Sequence, residues 1–151
     1  MDALLILVSE EGDPVKGLHI IADLYNCPRG QPEGDLLTSA TMLRTLCVNA
    51  CRNAGLTLLG EHFYQFDGVD ATQNGGTTGA VVLAESHLAI HTWPERDSAT
   101  LDVYVCNYTA DNSQKAEKLY QTLVDALLPA DIMVERVWRG KDLPINAKKV
   151  A

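Results

Sequence analysis

Residues 18–25 read Leu-His-Ile-Ile-Ala-Asp-Leu-Tyr and place Leu18, Ile20, Ala22 and Leu24 on one parity. Successive side chains of extended backbone point to opposite sides, so this alternation predicts a strand with one apolar face. Such a strand needs cover on that face. Two segments can supply it. Leu36, Leu37, Ala40, Leu43, Cys47, Ala50 and Cys51 form an apolar stripe at helical spacing, with Asp35 as the expected N-cap, an end near Asn53 and Gly55 as terminator. A second stripe, Ala116, Leu119, Leu123, Ala126 and Leu127, follows Asn112 and closes at Pro129.

Further strands are expected at Leu4–Val8, Leu56–Phe66, Gly79–Ile90, Ala99–Cys106 and Ile132–Trp138. Glu10–Lys16 and Pro28–Gly34 read as turn and loop. Asp67–Thr78 is small, polar and glycine-rich, the composition of a mobile loop, and the polar tail from Gly140 is expected to fray. The order β-β-α-β-β-β-α-β has no repeat or linker. It predicts one domain over 1–151, of α/β (α+β) class: a two-layer sandwich, mainly antiparallel sheet with helices on one face.

With 46% apolar residues the chain is too apolar to be a disordered tail. Its apolar runs fall far short of the ~20 residues of a membrane helix, and no leader pattern is visible, which predicts a cytoplasmic protein with no membrane partner. Twenty Asp and Glu against 12 Lys and Arg argue against nucleic acid, since phosphate binding needs clustered basic residues. The four cysteines, Cys27, Cys47, Cys51 and Cys106, include no CxxC pair and are too sparse for a disulfide scaffold. Cys47 and Cys51 fall on one helical face and read as core packing, leaving Cys27 or Cys106 as a candidate reactive thiol.

Residues 84–95, Ala-Glu-Ser-His-Leu-Ala-Ile-His-Thr-Trp-Pro-Glu, concentrate chemistry directly after an apolar strand. His87 and His91 have the spacing of two ligands on a helix, but the segment reads as strand, where they stand about 13 Å apart, so no metal site is expected. Ser86 or Cys106 could act as a nucleophile with a histidine base, although no GxSxG elbow is present. Polar capping of a strand end is the remaining reading of the residues alone.

This segment, followed by Cys106, resembles the prokaryotic S-adenosylmethionine decarboxylase proenzyme family. The likeness also covers GLHIIADLYNC (Gly17–Cys27), FYQF (Phe63–Phe66), TGAVVL (Thr78–Leu83) and LDVYVC (Leu101–Cys106). The resemblance implies self-cleavage at Glu85–Ser86. The Ser86 hydroxyl attacks the Glu85 carbonyl, the ester undergoes β-elimination, and the resulting dehydroalanine loses ammonia to become a pyruvoyl group. A β chain, 1–85, and an α chain, 86–151, would result. The pyruvoyl cofactor forms a Schiff base with the substrate amine and acts as the electron sink for decarboxylation. By the same resemblance, His91 assists processing and Cys106 is the proton donor to the product carbon. Phe66 and Trp93 sandwich adenine, Glu95 binds the ribose hydroxyls, and Thr78 stands at a serine position as a processing or activity residue. The resemblance also implies a homodimer and a product that serves as aminopropyl donor for spermidine.

Ser86 and His91 are five apart, on opposite faces of a regular strand, so a bulge or bend is expected between them if both act on one bond. The chain departs from the family pattern in the long 67–78 loop, in Arg96-Asp97-Ser98 after the motif, and in Asn107 after the thiol. Related pyruvoyl enzymes act on L-arginine or L-ornithine, and an Arg96–Asp97 pair could meet such a substrate or be a solvated loop. A non-enzymatic nucleoside-binding or regulatory relative is the alternative from another class.

Overall fold

The computed structural model describes residues 16–70, 72–107 and 110–140. The expected Leu4–Val8 strand, most of the Glu10–Lys16 turn and the tail beyond Gly140 lie outside those residues. Six strands and two helices alternate as β1 (Gly17–Tyr25), α1 (Ala40–Asn53), β2 (Leu58–Asp67), β3 (Asn74–Leu83), β4 (Ser86–Trp93), β5 (Ser98–Cys106), α2 (Ser113–Leu127) and β6 (Asp131–Arg139). The strands form one sheet in the order β2-β3-β4-β5-β1-β6, every pairing antiparallel. Both helices pack on one face of it. None of the described helices is long and apolar enough to cross a membrane.

The alternation in β1 sets the layers. Leu18, Ile20, Ala22 and Leu24 are buried and lie opposite Val105, Val103, Leu101 and Ala99 of β5. Leu88 and Ile90 of β4 continue the same core face, which α1 covers with Leu43, Cys47 and Cys51 and α2 with Ala116, Leu119, Tyr120, Leu123 and Leu127. Tyr120 takes the buried place expected of Ala126, which is half-buried. The opposite face carries no helix among the described residues.

Three local expectations are corrected. Asp35 does not cap α1: its carboxylate accepts the Leu37 N–H at 2.9 Å in a turn that precedes the helix, and Ser39 is the N-cap, accepting the Met42 N–H. The expected single strand Gly79–Ile90 is a hairpin of β3 and β4 that reverses at Ala84–Glu85. The expected loop over Asp67–Thr78 shortens to residues 68–73, because Asn74–Thr78 already belong to β3. Gly76 permits this pairing: a Cβ there would sit 2.1 Å from the Thr92 carbonyl oxygen, so only glycine lets β3 run this close to β4.

The expected bulge between Ser86 and His91 is also absent. Pairing of β4 with β3 runs without a shift from Leu83–Ser86 to Thr78–His91. Irregularities fall in β2 instead, at Leu58–Gly60 and Gln65–Asp67, the second beside Phe66.

Candidate active site

The turn between β3 and β4 is fixed from three directions. Ala84 donates its N–H to the Thr57 carbonyl at 2.9 Å. The Glu85 carboxylate, buried in the fold, accepts the Thr57 N–H with both oxygens, at 2.9 and 3.1 Å. The Glu85 carbonyl accepts the backbone N–H of Cys106 at 2.7 Å. Cys106 is itself held by Asn112, whose Nδ2 donates to the Cys106 carbonyl at 3.0 Å. Ser86 follows with φ +136°, a backbone conformation that side-chain-bearing residues rarely adopt. Glu85, Ser86 and Cys106 are therefore neighbours, with a peptide donor aimed at the carbonyl before the serine. A donor so placed polarises that carbonyl and favours attack on it.

A second group gathers at the far end of β4. Phe66, Thr78, His91, Trp93 and Glu95 line a cleft of about 550 Å³. Thr78 Oγ1 and His91 Nδ1 share a 2.5 Å hydrogen bond across β3 and β4. The His91 and Trp93 rings lie 6.0 Å apart, and Phe66 makes an edge contact with Tyr64 at 5.0 Å. Val69 and Gln73, from the loop between β2 and β3, wall one side, so the long 67–78 segment belongs to the cleft.

The turn after Trp93 is a single 3-10 segment, Pro94–Arg96, closed by Asp97 at φ +47°. Arg29 organises it: its guanidinium donates to the Pro94 carbonyl, to Asp97 and, at 2.6 Å, to Asp35. Burial works against this charge, but the two carboxylates outweigh it and raise the Arg29 pKa further. Asp97 is thus paired within the chain, and the Arg96–Asp97 segment is an anchored turn.

These two groups do not meet within one chain. Five residues of extended backbone separate Ser86 from His91, about 16 Å at the rise of a strand. Between them the helix-free face carries a cluster that the sequence alone did not reveal. His19 and His87 both donate through Nε2 to the same oxygen of Asp102, at 2.7 and 2.9 Å. Burial raises the Asp102 carboxyl, but hydrogen bonds from His87 and His19 prevail and hold it below its ordinary value. The only signal in the sequence is shared parity on strands whose register has to be known first. Arg29 and Thr57 were likewise missed, since each acts through a partner distant in sequence.

Cys47 and Cys51 are core residues, as expected. Burial pushes the Cys51 thiol up to about 12, with the Glu85 charge adding to it, and drives Cys47 higher still. Burial, then the charge of Asp97, also raises Cys27, whose N–H is bound to the Asp97 carbonyl. None of the three is a ready thiolate. Cys106 differs in place: its backbone N–H is bound to the Glu85 carbonyl.

A sequence-family model described as S-adenosylmethionine decarboxylase matches residues 18–140. The chain is 38% identical over 116 residues, covering 77% of it and 75% of the relative, to the S-adenosylmethionine decarboxylase proenzyme of Hydrogenobaculum sp. strain Y04AAS1. It is 33% identical to the arginine decarboxylase proenzyme of Aeropyrum pernix, over 86% of this chain and 89% of that one. The crystal structure of the adenosylmethionine decarboxylase from Aquifex aeolicus VF5 superposes with a TM-score of 0.71 at 35% identity, covering 89% of this chain and 95% of the other.

Proposed function

Because this chain belongs to the S-adenosylmethionine decarboxylase family, we propose that it cleaves itself at Glu85–Ser86 and then removes the carboxyl group of S-adenosylmethionine. One arrangement carries the substrate assignment: Phe66, Trp93 and Glu95 line the cleft that also holds the Thr78–His91 pair. Two aromatic rings offer faces to adenine, and a carboxylate can accept from both ribose hydroxyls. The sulfonium gains about 1 kcal/mol against an aromatic face. A free amino acid would leave both rings unused.

Ser86 fits the role of precursor to a pyruvoyl group on its own geometry: the preceding carbonyl is hydrogen-bonded by Cys106 N–H, and the serine backbone is held at φ +136°. In processing, Ser86 Oγ attacks that carbonyl and the Cys106 N–H stabilises the developing oxyanion. His91 moves the protons that ester formation and elimination require, and Thr78 fixes its ring through Nδ1. Once formed from Ser86, a pyruvoyl group would supply there a ketone carbonyl for the substrate amine and an electron sink for loss of carbon dioxide. The Cys106 thiol, beside that position, returns a proton to the substrate carbon.

On this reading a second copy bridges the roughly 16 Å between the two groups. His91, Trp93, Phe66 and Cys106 share the parity of the helix-free face. That face also exposes Ile21, Tyr64, Val82 and Val137, an apolar surface of the kind that marks an interface. A twofold axis near Ala89, midway along β4, would lay two such faces together and bring Cys106 of one copy, beside its Glu85–Ser86 junction, toward His91 and Trp93 of the other. Ala80 and Ala89, paired at the centre, leave room for the approach. On this reading the homodimer is part of the site.

The arginine decarboxylase relative supports a second reading, in which the same processed serine acts on L-arginine. Carbon dioxide release from carboxyl-labelled S-adenosylmethionine, arginine and ornithine separates the two. Release from S-adenosylmethionine alone is expected, and release only from an amino acid would overturn the assignment of the cleft.

A further inference from the structure

Ser86 bears its strained backbone at a place where the hairpin gives it no relief. Two-residue hairpins usually take positive φ within the turn itself. Here neither Ala84 nor Glu85 does so, and the distortion falls on the first residue of β4. Among the described residues the other side-chain-bearing positions with positive φ are Asn26, Asp97 and Leu128, near the left-handed helical value of +57°. Ser86, at +136°, lies far from that well.

Strain of this kind persists only when the surroundings over-determine it. Two side-chain anchors do so here. Upstream, the Glu85 carboxylate is doubly bound to Thr57 N–H. Downstream, His87 is tied to Asp102, which His19 holds from β1. The residues on both sides of Ser86 are thus fixed by their own side chains. The unbroken register from Ser86 to His91 leaves no slack for β4 to slide.

We infer that these anchors clamp the Glu85–Ser86 junction in a strained conformation that drives self-cleavage, and that Asp102 is a positioning residue for it. The inference rests on the self-processing reading above and deepens it. In the driven step a bond forms between Ser86 Oγ and the Glu85 carbonyl carbon, and the bond from that carbon to the Ser86 nitrogen breaks. The hydroxyl proton ends on the freed amine. Rotation about the Ser86 N–Cα bond is then no longer tied to a peptide plane, so the ester lacks the strain. His19, His87 and Asp102 touch none of the reacting atoms and act through the backbone at residue 87.

The test times cleavage of freshly translated full-length chain by gel and mass spectrometry, with and without hydroxylamine at neutral pH. Asp102→Ala, which removes both imidazole contacts, should cleave on the order of tenfold more slowly. Asp102→Asn keeps the acceptor oxygen and should stay within about threefold of the parent. Hydroxylamine cuts an ester but not an amide, so it should accelerate the parent and fail to rescue Asp102→Ala, because the clamp acts before the ester exists. His87→Ala cuts the same anchor from its other side and should match Asp102→Ala. Either variant, folded and cleaving at the parent rate, overturns the clamp, as does a slow variant that hydroxylamine restores. A parent chain that never cleaves overturns the self-processing reading and the clamp together, whereas equal rates in parent and variants overturn the clamp alone.

Discussion

Ser86 and His91 occupy opposite ends of β4 and, by its unbroken register, opposite faces of the sheet. Cross-complementation follows. On the proposed mechanism a Ser86→Ala chain should not cleave, and a His91→Ala chain should cleave poorly as a homodimer. Co-expressed with distinguishable tags, the two form mixed dimers in which the His91→Ala chain keeps its own serine and meets an intact histidine from its partner. About half of the His91→Ala chains should then be cleaved, the share expected in mixed dimers if pairing is random. Gel analysis of the tagged fragments reads the result, and a His91→Ala chain that stays whole would rule out a shared site.

Phe66, Trp93 and Glu95 stand in the cleft and away from the scissile turn. Replacing either aromatic by alanine should raise KM for S-adenosylmethionine by roughly tenfold or more, the scale of a lost base-stacking contact. Glu95→Gln should act in the same direction. None should slow cleavage at Glu85–Ser86. Steady-state kinetics on processed protein check this, and an unchanged KM with a fallen kcat would place the substrate elsewhere.

Cys106 contributes to the site through two different groups. Its backbone N–H binds the Glu85 carbonyl and survives any side-chain change, whereas the proposed mechanism needs the thiol only after cleavage. Cys106→Ala should therefore yield two chains normally and lose about 100-fold in decarboxylation, the usual worth of a positioned proton donor. Mass spectrometry and carbon dioxide release separate the effects. A fully active Cys106→Ala enzyme would assign the proton to another group.

Much of the fold is legible in the chain because β1 alternates and both helices carry clean stripes. The β3–β4 hairpin is not, because its turn contains neither glycine nor proline. A carboxylate bound to Thr57, 28 residues away in sequence, specifies that reversal. The Asp67–Thr78 segment misleads for the opposite reason: Gly75 and Gly76 look like loop glycines but serve close strand packing, where a Cβ would strike backbone oxygens. Phe66, Thr78, His91, Trp93 and Glu95, named through the family motif, line one cleft. The strand parity of Ser86 and His91 was sound in its geometry, and the bulge expected between them is absent because β4 keeps its register from end to end. The His19–Asp102–His87 bridge needed the register of three strands before it could be seen.

Asp102 also sets an acid limit. Its folded pKa lies below the ordinary value, so the carboxylate's contribution to stability is fully present above the unfolded pKa of about 3.9 and is lost as pH falls through the lower folded value. Urea midpoints of the parent and of Asp102→Asn should differ by a constant amount above about pH 5 and converge below about pH 4. A gap that widens in acid would contradict the lowered Asp102 pKa.

The most direct measurement is the intact mass of the purified full-length protein. Two species are expected: residues 1–85, ending in a free Glu85 carboxylate, and residues 86–151, whose first residue is a pyruvoyl group and which is therefore blocked to Edman sequencing. Ser86→Ala should give a single species of 151 residues. A parent chain that remains whole under conditions where it is folded and dimeric, or one that is cut at another bond, would contradict the account at its centre.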